Sequence, residues 1–395
     1  MIDLKKAQKL ILEATPVLGR ESVPILDALR RIIVQDIIVV EDLPASDMSA
    51  MDGYAVRHTS LNGVSRQNPV HLRIIGESPA GKPCGAVVGD GDAIRIMTGG
   101  LVPEGADTVV KQENTVEESG HVICNNDPGC GSGIRVQGES LKKGEVILHA
   151  GDVISPLEVG VLATLRRAYV NVHRKPLVAI LSTGDELSDF HEPSSPSKAM
   201  CSNFYALAAQ VVEAGATPLC LGIVQDDLQA QRTLLHEALC ADVIITTGGT
   251  SRGKYDLVHK AFSTLGMEVR FSTIFVKPGK PTIFGTIKKS LIYGLPGNPS
   301  ATMISFEQFI RPALLKMMGH QNVSNTYSHL NNLFAPLDSF NDEQGGNKGH
   351  RRASQVPLKR TLSGNNRHPQ RQQSIPDPHA EPFTDSRPLK CHIPG

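Results

Sequence analysis

The sequence predicts a multidomain α/β chain built around a doubly wound, mostly parallel sheet. Three observations carry this. The 395 residues exceed what one ordinary hydrophobic core organises. Between 176 and 318, unbroken apolar runs alternate with amphipathic helical stretches, the pattern of strands buried on both faces. From 43 to 139 the texture changes to short β-like runs separated by Gly, Pro and Asn/Asp, with helix-capable sequence on either side.

Taken in order, residues 1–42 read as helical. Leu4, Ala7, Leu10, Ile11 and Ala14 recur at helical spacing, and a second apolar set runs from Val23 to Ile33. HLRIIGE, DAIRIM, DTVVKQE and HVICN then read as strands of a small all-β domain over 43–139. The stretch around SPLEVGVLATLRR, within 140–174, returns to helix-capable sequence. The expectation is a discontinuous helical linker domain, 1–42 plus 140–174, with the β domain inserted into it.

An α/β domain follows over 175–320. Its strands are PLVAILS, TPLCLGIV, ADVIITT, EVRFSTIFV, TIFGTI and SLIYGL. Its helices are NFYALAAQVVEAGA, DLQAQRTLLHEALC, YDLVHKAFSTLG and SATMISFEQFIRPALLKM. Ligands in such sheets bind outside the carboxyl ends of the strands. Residues 321–395 form a last region. From 341 it is poor in apolar residues, rich in Pro, Arg, Gln and His, and without periodicity, the composition of a segment that does not fold from about 350 on.

Composition excludes several functions. Lys+Arg and Asp+Glu both number 40, so no global charge draws the chain to nucleic acid or anionic membrane. Aromatics are 4% with no Trp, which removes a base-stacking surface. No apolar run approaches the roughly 20 residues of a membrane span, and the N-terminus reads as a helix, not a signal peptide. Seven cysteines without a CxxC pair make neither a disulfide framework nor a zinc site, so a reducing cytoplasm is expected. The histidines show no HxH or HExxH spacing.

Three groups of motifs carry chemistry. In PASDMSAMDGYAV, Asp52-Gly53 reads either as a hairpin turn or, crowded by Asp47, Ser49, Met48, Met51 and Tyr54, as a partly buried carboxylate. In MTGGLVPEGAD, Thr98-Gly99-Gly100 reads either as a plain loop or as backbone donors open to an anion. The third group is STGDE (182–186), QDD (225–227), TTGGTSRGKYD (246–256), KPGKP (277–281) and GLPGNPS (294–300), all at strand exits.

In that group Gly-rich loops precede helix N-termini, where anions bind. Asn298 to Ser300 offer hydroxyl and N–H donors, and Lys277 and Lys280 match phosphate or another oxyanion. Glu186, Asp226 and Asp256 leave three strands at one edge, as ligands of a hard cation such as Mg²⁺ would. Each carboxylate alone is equally a cap or turn residue. Met48 and Met51 read as packing. Cys201 reads as an exposed thiol with no base beside it.

SAMDGYAV, MTGG with PEGAD, STGDEL, TTGGTSRGKYD, KPGKP and GLPGNP, in this order from residue 1 to about 335, resemble the MoeA family of molybdopterin molybdenumtransferases, related to the E domain of gephyrin. The resemblance implies an elongated homodimer with a linker domain, a β domain, a MogA-like molybdopterin-binding domain and a C-terminal β-barrel. It implies Mg²⁺-dependent insertion of molybdate into adenylylated molybdopterin with release of AMP, at a site shared between two chains. Asp52 and Thr98 would come from one chain, and Glu186, Asp226 and Asp256 from the other as acidic and Mg²⁺-binding residues. Gly248, Gly249, Ser251, Lys277, Lys280, Pro296, Gly297, Asn298 and Ser300 would hold substrate and oxyanion. A molybdopterin adenylyltransferase and downstream proteins of molybdoenzyme maturation would be partners.

The chain departs from the family pattern in three places. IRVQGES puts Ser140 where Asp is usual, Cys201 stands two residues before Asn203 where Asp is usual, and the tail after KGHRR (348–352) lacks the alternation of barrel strands. That tail reads as a frameshifted open reading frame, since the codons of Asn-Asn-Arg-His-Pro read one base later can encode Thr-Val-Thr-Pro. Two other functions stay open on these grounds. One is a molybdopterin adenylyltransferase or nucleotide pyrophosphatase on the same sheet. The other is an impaired, non-catalytic molybdopterin-binding or scaffold protein.

Overall fold

Six strands form a twisted sheet in the order Thr217–Val224, Leu177–Thr183, Val243–Thr247, Ser290–Leu295, Ile283–Ile287, Glu268–Phe271. The first four run parallel, and the last two join antiparallel. The computed structural model describes residues 2–248 and 257–323. Gly249, Ser251 and Asp256, and the tail from 324 with any barrel remnant, lie outside the described residues.

Strand side chains alternate between two cores. Val178 and Ile180 pack on one face with Ala7, Ile11, Leu207, Val211, Phe306 and Leu314. Ala179 and Leu181 pack on the other with Leu235, Val258 and Phe262. Helices Ser202–Glu213 and Pro299–Ser305 cover the first face, and Leu228–Ala238 and Leu257–Thr264 cover the second. Burial on both faces explains why these strands run apolar on both faces instead of alternating, and each fully buried Leu or Ile contributes about 1.5–3 kcal/mol.

The last helical stretch widens to a π-helix over Phe306–Ile310 before Arg311–Met317. Pro312 has no N–H to give the carbonyl of Gln308, four residues back. Gln8 Nε2 donates to that oxygen instead, at 3.3 Å. Helix Leu4–Ala14, capped where Asp3 accepts the N–H of Lys6 at 2.8 Å, thus belongs to the α/β core.

The helical reading of 1–42 is corrected: among the described residues there, only Leu4–Ala14 is a helix. The set Val23 to Ile33 is not helical. Pro24 lacks a donor, Arg30 has a φ of 63°, and Ile32, Ile33 and Val34 are β-branched. Arg20–Pro24 pairs antiparallel with Tyr169–His173, and Ile37–Ile38 with Val146–Leu148. Ile33, Ile37, Leu148, Leu162 and Val172 share one core, so residues from both sides of the β insertion pack together. The helix in the second flank is short, Pro156–Thr164, with a Ser155/Glu158 capping box.

Within 43–139 a second six-stranded sheet runs Thr108–Lys111, Gly53–Val56, Asp92–Ile96, Val70–Ser78, His121–Cys124, Thr115–Glu118. Asp52-Gly53 is no hairpin turn. Gly53 opens a central strand opposite Ile96 and Lys111, and a Cβ there would stand 2.0 Å from the carbonyl oxygen of Val110. EVRFSTIFV also ends as a strand at Phe271, after which the chain turns toward the two lysines.

Tyr293 is fully buried in the first core, and its hydroxyl has no partner among the described residues. An unmade buried hydrogen bond costs about 1–3 kcal/mol. Tyr293→Phe is expected to raise stability by about 1 kcal/mol, read as a higher urea midpoint at unchanged slope. A lower midpoint would reveal a hydrogen bond to that hydroxyl.

Candidate functional site

The four parallel strands end at one edge of the α/β sheet, and the antiparallel Ile283–Ile287 begins there, with Ile283 opposite Gly294. The described parts of the five loops singled out in the sequence are therefore neighbours along one edge. Gly184, at a φ of 147°, opens the first, and a Cβ there would meet the Glu186 carboxylate at 2.5 Å. Gly248, at a φ of 95°, does the same beside Thr183, whose carbonyl oxygen a Cβ would approach to 2.4 Å.

Asp226 donates its N–H to Asp185 Oδ1 at 3.1 Å, tying two adjacent loops. Burial, with Asp185 and Glu186 close by, pushes the Asp226 carboxyl up. Three carboxylates thus gather where uncompensated negative charge is costly. Sequence reasoning missed Asp185, although it stands in the same acidic pair as Glu186. Among the described residues no three such side chains converge as a formed metal cage, and Asp256 lies outside them.

Other polar loop residues have local duties. Asp227 caps Leu228–Ala238 by accepting the N–H of Ala230 at 2.7 Å, and Asn298 caps Pro299–Ser305 by accepting the N–H of Ala301 at 3.2 Å. The Asn298 oxygen is thus engaged in its own helix. Pro296 is buried and its carbonyl accepts from the Thr302 hydroxyl, while Gly297 and Ser300 are exposed. Glu186, Gly248 and Gly297 line one cavity of about 240 Å³ with Cys201 and Asn203. Lys277 and Lys280 line a separate one of about 310 Å³ with Phe275. The N–H of Ile274 donates to the Lys280 carbonyl at 3.0 Å and closes that turn.

Asp52 and Thr98 meet in the β sheet, not at this edge. Thr98 donates both its N–H, at 2.7 Å, and its hydroxyl, at 2.8 Å, to Asp52 Oδ1. These bonds hold the Asp52 carboxyl below its usual range. The open-anion reading of Thr98-Gly99-Gly100 is corrected here. Gly99 N–H donates to the Ser49 carbonyl and Gly100 N–H to that of Met97, so the three amides all serve protein acceptors. The cavity beside Asp52 holds about 710 Å³ and is also lined by Lys111, Glu113 and Asn114. Sequence reasoning passed over these three. Their signal was a polar KQEN string directly after the apolar strand TVV.

Two departures also take their places. Cys201 is 3% exposed, not an exposed thiol, because it packs in the core with Phe204 at the start of Ser202–Glu213. Ser140 accepts a hydrogen bond from Arg135 at 2.7 Å. The six described cysteines are all free, and no described helix is long and apolar enough to cross a membrane.

The chain is similar to known proteins over most of its described length. Residues 2–165 match the MoeA N-terminal region (domain I and II), and residues 179–316 match a probable molybdopterin binding domain. A molybdopterin molybdenumtransferase of Nostoc is 37% identical over 303 residues, 76% of this chain and 70% of that one. The Bacillus subtilis protein of the same name is 39% identical over 299 residues, 74% and 70% respectively. A crystal structure of the molybdopterin biosynthesis MoeA protein of Pyrococcus horikoshii superposes with a TM-score of 0.72 at 31% identity, covering 81% of this chain and 80% of that one.

The lowered Asp52 carboxyl favours the fold above the ordinary carboxylate range, and this contribution is lost as pH falls through the lowered value. In Thr98→Ala one of the two donors remains, the backbone N–H. The Asp52 carboxyl, followed by carbon NMR, is expected to titrate higher than in the wild type but still below an ordinary aspartate. No movement would mean that the hydroxyl bond is absent in solution.

Proposed function

The chain belongs to the MoeA family of molybdopterin molybdenumtransferases, and on that premise we propose that it inserts molybdate into adenylylated molybdopterin with release of AMP. The observation that carries the proposal is the gathering of Asp185, Glu186 and Asp226 at a sheet edge opened by Gly184, Gly248 and Gly297. Hard carboxylate oxygens that repel one another on exposed strand-end loops suit a divalent cation. Glu186 and Asp226, with Asp256, would hold Mg²⁺, which supplies polarisation of a phosphoryl oxygen when bound.

The remaining residues then divide the work. Lys277 and Lys280 balance the charge of molybdate or phosphate oxygens, with Ser251 as a further donor. Gly248, Gly249 and Gly297 allow close approach of substrate to backbone, while Pro296, Asn298 and Ser300 shape the start of the helix beneath it. Asp52, held ionised by Thr98, is the acceptor that a second copy of the chain contributes in a homodimer. Water cleaves the phosphoanhydride and AMP leaves; the two dithiolene sulfurs bond molybdenum as molybdate gives up one oxygen, which leaves as water with the two dithiol protons. A cytoplasmic enzyme, fed by a molybdopterin adenylyltransferase and serving molybdoenzyme maturation, fits this chemistry.

The buried Cys201 favours a second reading, molybdopterin binding without turnover, because a thiol replaces the usual acid at the cavity wall. One experiment separates the two. Purified protein is incubated with adenylylated molybdopterin, Mg²⁺ and molybdate, and AMP and bound molybdenum are followed. Molybdate-dependent AMP release, lowered about a hundredfold or more in Asp226→Asn and in Asp52→Ala, is the expected result. Molybdopterin binding with no AMP release would establish the second reading.

A further inference from the structure

The turn that carries Lys277 and Lys280 lies outside the sheet. Glu268–Phe271 ends before it and Ile283–Ile287 begins after it, so residues 272–282 find their main-chain partners elsewhere. The turn itself and a neighbouring helix supply three contacts. The Ile274 N–H donates to the Lys280 carbonyl at 3.0 Å across the base of the turn. The Thr282 hydroxyl donates to the Gly279 carbonyl at 2.7 Å. Gly279, at a φ of 112°, lies so close to Pro299–Ser305 that a Cβ there would stand 3.1 Å from Ser305 Oγ.

The segment leading into the turn is held from the far end of the chain. Ile2 pairs parallel with Ile274. The Phe275 N–H donates to the Ile2 carbonyl at 2.9 Å, and the Ile2 N–H donates to the Thr273 carbonyl at 3.4 Å. Ile2 is itself fixed in two ways. Its side chain packs on the first core, to which Ile274 belongs, and the next residue, Asp3, caps helix Leu4–Ala14.

The segment 273–275 is therefore clasped on both sides, by Ile2 on one and by Lys280 on the other. Ile274, Phe275 and Val276 also line the 310 Å³ cavity together with the two lysines. A lysine carries a compact charge on a flexible four-carbon stem. What the fold can fix is the main chain from which that stem starts, and here Ile2 is part of what fixes it.

We propose that Ile2 is a positioning residue for the oxyanion-binding turn, adding a one-residue strand that holds the main chain from which Lys277 and Lys280 reach their anion. This rests on the assignment of the two lysines to molybdate or phosphate oxygens in the previous subsection, and it adds to that assignment a contribution from the opposite end of the sequence.

Molybdate binding by the full-length protein, read by calorimetric titration, tests the proposal. In Ile2→Gly the side chain that packs on the core is gone and the backbone is freer, so the pairing with Ile274 frays. Affinity for molybdate is expected to fall about three- to fivefold. Ile2→Val keeps a β-branched apolar side chain and is expected to bind as the wild type does. A merely structural residue would lower the thermal midpoint without acting through the lysines. The same substitution is therefore also made in Lys277→Ala, where it is expected to cost less than about twofold, because one of the two charges it places is already gone. Unchanged affinity in Ile2→Gly overturns the proposal, as does a loss of equal size with and without Lys277. Wild-type protein that binds no molybdate, or whose affinity is the same in Lys277→Ala, overturns the assignment of the lysines and this proposal with it.

Discussion

Burial of one sheet on both faces governs the α/β part of this protein. A strand covered on two sides takes few polar side chains before its last residue or two, and its backbone groups are engaged with neighbouring strands. Val178, Ala179, Ile180 and Leu181 obey this, two facing each core. Polar residues are displaced to the strand ends, and parallel direction sends four of those ends to one edge. The candidate site is therefore a by-product of how the core must be built.

The same constraint explains how much was legible in the sequence. Unbroken apolar runs revealed the strands of this sheet nearly to the residue, for instance TPLCLGIV as Thr217–Val224 and SLIYGL as Ser290–Leu295. The flanks of the β insertion were less legible. Val23 to Ile33 has apolar residues at helical spacing, but its β-branched run and Pro24 found partners near residue 170, a pairing that no local pattern announces. Glycine meaning was also hidden. Gly53 looked like a turn residue, yet what selects it is the carbonyl of Val110 almost touching its α-carbon face.

Within the site, the sequence exposed residue types but not their obligations. Asp226 and Asp227 are adjacent and chemically alike. One accepts the N–H of Ala230 with its side chain and caps a helix, and the other sits raised beside Asp185 and Glu186; what surrounds each carboxylate separates them. Thr98 likewise looked like a donor for a bound anion, and its anion is the side chain of Asp52.

Helix Leu4–Ala14 belongs to a core whose other members come more than 160 residues later. Gln8 reaches the carbonyl of Gln308 across 300 positions, and the N–H of Leu18 donates to the carbonyl of Met317. On the ribosome, this first helix emerges with Ala7 and Ile11 uncovered and stays so until the last helix is made. At about 5–20 residues per second, that wait is roughly 15–60 s. The linker and β insertion can fold in that interval, but the α/β unit closes only after translation has passed residue 317.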